Sequence, residues 1–301
     1  VLVLEQDADG RPIHVVCGIP AGDSGGIGTE GPMIEILQYG FMQRALLAGV
    51  MIGTVAPLIG VFLVLRRLSL IADTLAHVAL AGIAGTMLLR VHPFAGALAA
   101  VILGAVGIER LRVSGRLFGE AALAIFLSGG FAVAVVLISI ARGFNVDLFA
   151  YLFGAITVVQ PADLWTILVL GLVVLAAVAL FHKELFAIAF DEEAARVQGV
   201  PVEALNMLLT VLAAVTVVVT MRIVGILLTS ALLVIPAVTA LRVARSFRST
   251  LLVAVACSLA SVLAGVVISF YLDIAAGGAI VLVALAIFGA ASAVASGRVA
   301  R

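Results

Sequence analysis

Lysine is nearly absent from this sequence: Lys183 is the only one among 17 cationic side chains, and the rest are arginine. A Walker A loop needs a lysine directly after glycine, and Lys183 follows His182, so no P-loop nucleotide site is encoded here. Charge of any kind is scarce. Asp, Glu, Lys and Arg make up 11% of the chain, against about 25% in an ordinary soluble domain. The 17 cations balance 17 acids, which leaves no basic field to hold nucleic acid. Cysteine is confined to Cys17 and Cys257, too few and too far apart for a zinc knuckle or a disulfide framework. The polar surface that a water-soluble globule of 301 residues requires is missing.

What the chain has instead is apolar length. Hydrophobic residues make up 64% of it, and the mean hydropathy is +1.32. Stretches able to cross about 30 Å of hydrocarbon at 1.5 Å per residue fall at 41–65, 70–89, 93–109, 119–141, 162–182, 203–221, 223–241, 250–272 and 275–296. The expected fold is therefore an all-α polytopic membrane protein of eight or nine spans. With the first span running outside to inside, twelve cations fall in cytoplasmic segments and five outside, so the N-terminus is expected outside and the C-terminus in the cytoplasm.

Residues 1–32 differ from the rest, holding five of the acids, seven glycines and three prolines. They read as a disordered extension upstream of a start at Met33, outside the mature protein, with the permease domain at 33–301. Within the extension, Gly22-Asp23-Ser24-Gly25-Gly26 looks like the nucleophile segment of trypsin-like proteases, and His14 lies nearby. A short glycine-rich segment cannot build the scaffold that holds a catalytic triad, so the match is chance.

Two connections exceed a turn. Residues 142–161 face outward and contain Leu148 to Val159, too short to span and read as a re-entrant or interfacial helix. Residues 183–202 face the cytoplasm. There Asp191, Glu192 and Glu193, followed by Ala194, Arg196, Gly199 and Pro201, predict a short helix with acids in its first turn and a firm stop.

The second span carries the chemistry. Asp73 and His77 are spaced i, i+4 and share one helical face. Ala81 and Gly85 continue that row, which suits a narrow polar path. Counting from Arg67, His77 lies roughly 15 Å into the bilayer, near the midplane. Intramembrane ionisable groups are costly, at about 2.5 to 3.5 kcal/mol for Asp, and mark ion or substrate pathways. One carboxylate and one imidazole are half of a four-ligand set for a divalent transition ion, and two copies on a two-fold axis would complete it. The alternative is an Asp–His pair that satisfies itself within the bundle.

Further along, Pro236 interrupts a span, and Thr229, Ser230 and Thr239 could satisfy the freed carbonyl or line the path; small-residue helix packing is the competing reading. His92 reads as a loop residue and His182 as a helix-end cation. Glu120, Asp163 and Glu203 read as acids placed against helix dipoles.

RRLSLIADTLAHVALAG (66–82), YLFGAITVVQPADLW (151–165), FDEEAARVQGVPV (190–202) and MRIVGILLTSALLVIPAVTA (221–240) together resemble the permease subunit of the zinc, manganese and iron ABC importers, the ABC-3 family. The resemblance runs from Met33 to about Ala295. It implies a fold similar to the membrane subunit of the vitamin B12 importer. It further implies a homodimer in the bacterial inner membrane, two cytoplasmic ABC ATPases and an extracytoplasmic metal-binding protein. In that family the D-x-x-x-H pair, here Asp73 and His77, is taken to bind the passing metal. The D-E-x-A-x-x-x-G segment, here Asp191, Glu192, Ala194 and Gly199, lies in the loop that couples to the ATPase.

The expected function is transport of a divalent metal ion without an ATPase site or a permanently bound cofactor. Zinc is the first expectation, with manganese and iron as alternatives. A chelate or siderophore importer of the same fold is the runner-up. An intramembrane metalloenzyme is weaker, because no H-E-x-x-H occurs in the sequence.

Overall fold

The computed structural model describes residues 4–6, 12–14, 40–89, 93–114, 119–140, 151–154 and 161–299. Two units divide the chain, Val1–Ile36 and Leu37–Arg301. In the first, β1 (Leu4–Gln6) pairs antiparallel with β2 (Pro12–His14), Leu4 opposite His14. The Gly22–Gly26 segment, Cys17, His92, and residues 142–150 and 155–160 of the outer connection lie outside the described residues.

The second unit is helical. Its elements are α1 (Gly40–Leu65), α2 (Leu70–Leu89), α3 (Pro93–Val113), α4 (Gly119–Ile140), α5 (Pro161–Leu180), α6 (His182–Phe190), α7 (Glu192–Val197), α8 (Val202–Val224), α9 (Thr229–Val243), α10 (Phe247–Leu272) and α11 (Ala276–Val299). Nine helical segments among the described residues are long and apolar enough to cross a membrane, and each matches one of the apolar stretches to within about a turn. The short α6 and α7 fill the predicted cytoplasmic connection.

Burial sorts the helices. Of the most apolar stretch in each, 78% is buried in α8 and 67% in α1, against 11% in α4. Thus α1 and α8 form the centre, while α4 presents most of its apolar surface outward, to lipid or to another chain. Close backbone approach holds the centre together, as expected where lipid removes most of the hydrophobic drive between helices. A Cβ at Gly60 of α1 would lie 1.9 Å from the Leu233 carbonyl oxygen of α9. Gly60→Ala is accordingly expected to lower stability by about 1–3 kcal/mol through overpacking. The midpoint temperature of the detergent-solubilised protein reads this, and an unshifted midpoint would mean that α1 and α9 part without strain.

Most hydroxyls inside the spans are used locally. Thr216, Thr220, Thr239 and Ser261 each donate to the carbonyl four residues back, at 2.7 to 2.8 Å. At the end of the bundle where α8 meets α9, three backbones converge. Gly225 has φ +87 and Gly154 φ +76, both reserved for glycine. A Cβ would come within 2.4 Å of the Leu152 oxygen at Gly225 and 2.0 Å of the Ile223 oxygen at Gly154. At Gly277 it would lie 1.8 Å from the Val224 oxygen.

Candidate metal-ion site and coupling loop

The row Asp73, His77, Ala81, Gly85 on α2 is only half-buried, whereas Ile71, Ala72, Leu75, Ala76, Ala79, Leu80, Ile83 and Ala84 face the core. The i, i+4 spacing therefore turns the acid and the imidazole away from the packed centre of the chain. Ser230, in the first turn of α9, donates its Oγ hydrogen to Asp73 Oδ1 across 3.4 Å. The His77 ring stands edge-on against Phe131 of α4, with centroids 5.5 Å apart and planes at 77°. His77 Nδ1 is buried and meets no hydrogen-bond partner. Asp73 and His77 thus do not satisfy each other, and an imidazole nitrogen of this kind is costly to leave empty, by about 1–3 kcal/mol. No third His, Cys, Asp or Glu joins them among the described residues. One chain offers a carboxylate and an imidazole, with the Ser230 hydroxyl beside them.

The other residues read as path-lining divide. Ser230 lies on the same open side as Asp73. Thr229 is fully buried and donates to the Gly225 carbonyl at 2.7 Å. Pro236 is buried within α9. Thr239 donates to Ile235 rather than to Leu232, the carbonyl that the proline ring leaves without its helical partner.

At the arginine-rich end, Asp191 caps α7: its Oδ1 accepts the Ala194 N–H at 2.9 Å. Gly199, at φ +84, ends the helix, with its N–H on the Arg196 carbonyl and the Val200 N–H on that of Ala195, each at 3.1 Å. Ala194 faces outward, Ala195 is buried, and Val197 stands 87% exposed. Asp191→Ala should cost α7 about 1 kcal/mol, seen as a roughly fivefold loss of hydrogen-exchange protection at its amides. Unaltered protection would show that tertiary contacts alone hold the helix.

Two ion pairs were not legible as such. Arg66, counted in the sequence only as a loop cation, places Nη2 2.5 Å from Glu192 Oε2 and donates through Nη1 to Asn206 Oδ1. Burial pulls its guanidinium below the usual arginine range, and Glu192 works against that shift. At the opposite end, Asp163 and Arg222 form a pair at 2.9 Å, both about nine-tenths buried, with the guanidinium 5.0 Å from the centre of the Tyr151 ring. Asp163 stands in the first turn of α5, as read, and its carboxylate also reaches across to the end of α8, because a buried charge needs a countercharge. A lone acid near an apolar run carries no sequence sign of a partner some sixty residues away.

A polytopic helical bundle with an ionisable pair within one span, and a capped, solvent-exposed loop helix at one end, fits a membrane transport subunit. The ABC 3 transport family model matches residues 38–295, and the chain belongs to that family. The manganese transport system membrane protein MntC of Listeria innocua serovar 6a is 34% identical over 253 residues, 84% of this chain and 90% of MntC. PsaBC from Streptococcus pneumoniae, solved in complex with Fab, matches with a TM-score of 0.78 at 32% identity, over 86% of this chain and 93% of that one. A metal-chelate type ABC transporter in an inward-facing conformation shares the fold alone, with a TM-score of 0.69 at 16% identity over 88% and 90% of the two chains. The all-α polytopic fold, similar to that of the vitamin B12 importer's membrane subunit, agrees with these likenesses. The protein is a permease subunit of the metal-transporting ABC class.

Proposed function

We propose that this chain is one half of the channel of an ATP-driven importer for a bare divalent transition-metal ion. Two copies bring two Asp73 and two His77 together, and the carboxylates neutralise the ion where the dielectric is low. An extracytoplasmic binding protein delivers the ion, and cytoplasmic ABC ATPases on separate chains receive the 183–202 loop, whose short helix is shaped by Asp191, Glu192, Ala194 and Gly199. In this reading the N-terminus is outside, the C-terminus is cytoplasmic, the membrane is the bacterial inner membrane, and residues 1–32 are an extension outside the permease domain.

The observation that carries the proposal is the Asp73–His77 row on the half-buried face of α2, with His77 Nδ1 buried and unsatisfied. Zinc was the first expectation from the sequence. The name of MntC and the oxygen donor of Ser230 beside Asp73 favour testing manganese first, because manganese accepts oxygen-rich sites more readily than zinc does. The test is uptake of radiolabelled Mn²⁺ and Zn²⁺ into proteoliposomes holding the permease, its ATPase and its binding protein. ATP-dependent uptake of Mn²⁺, suppressed by excess free Mn²⁺, is the expected result. Uptake of a metal chelate that free ions do not compete with would replace this reading with the chelate importer.

A further inference from the structure

The turn between α1 and α2 joins the coupling loop to the helix that carries Asp73 and His77. Arg66 closes α1 with its side chain only 6% exposed, and its guanidinium engages Glu192 of α7 and Asn206 of α8 at the same time. Asn206 Nδ2 donates to the second Glu192 oxygen at 3.4 Å, and Arg196 lies 3.7 Å from that same oxygen. Both oxygens of Glu192 are thus held. One helical turn further along α8, Thr210 donates to Glu109 of α3 at 3.4 Å, and Glu109 pairs with Arg112 at 3.2 Å. The coupling helix is therefore clamped to a polar junction whose central member is Arg66.

The connection onward has no slack. Arg67 adopts φ +56, a left-handed conformation that side chains other than glycine resist. The Arg67 N–H bonds the Val64 carbonyl at 3.0 Å and the Leu68 N–H that of Leu63 at 2.8 Å, which closes the end of α1. The Ile71 N–H then bonds the Leu68 carbonyl at 2.9 Å, and α2 begins at Leu70. Asp73 lies in the first turn of that helix and His77 one turn beyond. A rigid four-residue path thus leads from the Arg66 side chain to the start of the ion-holding helix.

We propose that Arg66 is a positioning residue that passes movement of the coupling helix to α2, and so sets the placement of Asp73 and His77 without touching the ion itself. The proposal rests on the reading of 191–199 as the ATPase seat and of Asp73 and His77 as the ion site. Arginine suits the task because it keeps its charge at every physiological pH and its planar fork grips two acceptors at once.

The experiment measures ATP hydrolysis and Mn²⁺ uptake on the same proteoliposomes containing the whole transporter. For Arg66→Gln the ions carried per ATP should fall about tenfold, within the usual span of coupling between sites, while hydrolysis stays within about twofold of the unaltered protein. Arg66→Lys, which keeps the charge but loses the fork, should restore part of the ratio. Parallel loss of hydrolysis and uptake at a constant ratio, or an unchanged ratio, overturns the proposal. If Arg66→Gln fails to assemble, Arg66→Lys and Asn206→Ala decide: a reduced ratio in both supports the link, and the unaltered ratio in either removes it. Asp73→Ala and His77→Ala are run alongside, because normal uptake by both would sink the ion-site reading itself, whatever Arg66 does.

Discussion

Replacing Asp73 by alanine is expected to reduce metal uptake by the assembled transporter at least 100-fold, to the level of empty vesicles. Losing a group that merely orients a metal ligand typically costs about 10–100-fold in metal affinity or activity, and here a ligand itself would be lost. In the paired channel proposed above every substitution counts twice, so Asp73→Ala strips both carboxylates from one site and leaves a divalent charge with only neutral imidazoles and hydroxyls around it. His77→Ala should match it, since the edge contact with Phe131 leaves the buried His77 Nδ1 without a hydrogen-bond partner. Ser230→Ala should be milder, with uptake falling by about fivefold or less, because the contact to Asp73 spans 3.4 Å and is a weak hydrogen bond. Initial rates of Mn²⁺ entry at saturating binding protein distinguish the three variants. Unaltered entry with both Asp73→Ala and His77→Ala would remove the site.

Arg222→Ala should be the most destabilising of the single substitutions considered, by about 3–5 kcal/mol. The pair with Asp163 is about nine-tenths buried on both sides, so removing the guanidinium strips a sequestered carboxylate of its countercharge. Stacking over Tyr151 adds a smaller contribution, on the order of 1–2 kcal/mol for a desolvated cation on an aromatic face. The measurement is thermal unfolding in detergent. A paired replacement, Asp163→Asn with Arg222→Met, should recover most of the loss, because the expense lies in the stranded charge rather than in the absent bond. If the double variant is as unstable as Arg222→Ala, the stabilisation comes from local packing instead.

Helix positions were readable because each span is a long apolar run bounded by charge, glycine or proline, and that periodic bulk property survives without knowledge of any neighbour. The α7 cap was readable for a related reason: Asp191, its acids and Gly199 act on backbone groups within a few residues. The Asp73–His77 row was readable because helical spacing alone puts the two on one face. Long-range polar pairs were not. Arg66 and Glu192 are 126 positions apart, and nothing in the local sequence of either names the other as its partner. Their meeting depends on how α1, α7 and α8 pack. The same limit explains Thr229 and Pro236: residue type suggests a polar path, but only the rotation of α9 reveals that Ser230 faces Asp73 while Thr229 turns into the core.

The convergence of Gly154, Gly225 and Gly277 sets a size limit on that end of the molecule. Where one side chain meets another, a change in one can be absorbed by a compensating change in its neighbour. Where main chain meets main chain no smaller neighbour exists, because the carbonyl oxygens of Leu152, Ile223 and Val224 cannot be trimmed. Sequence drift around this junction is therefore confined to positions that point away from it, and the three glycines can vary only if the helices themselves move apart.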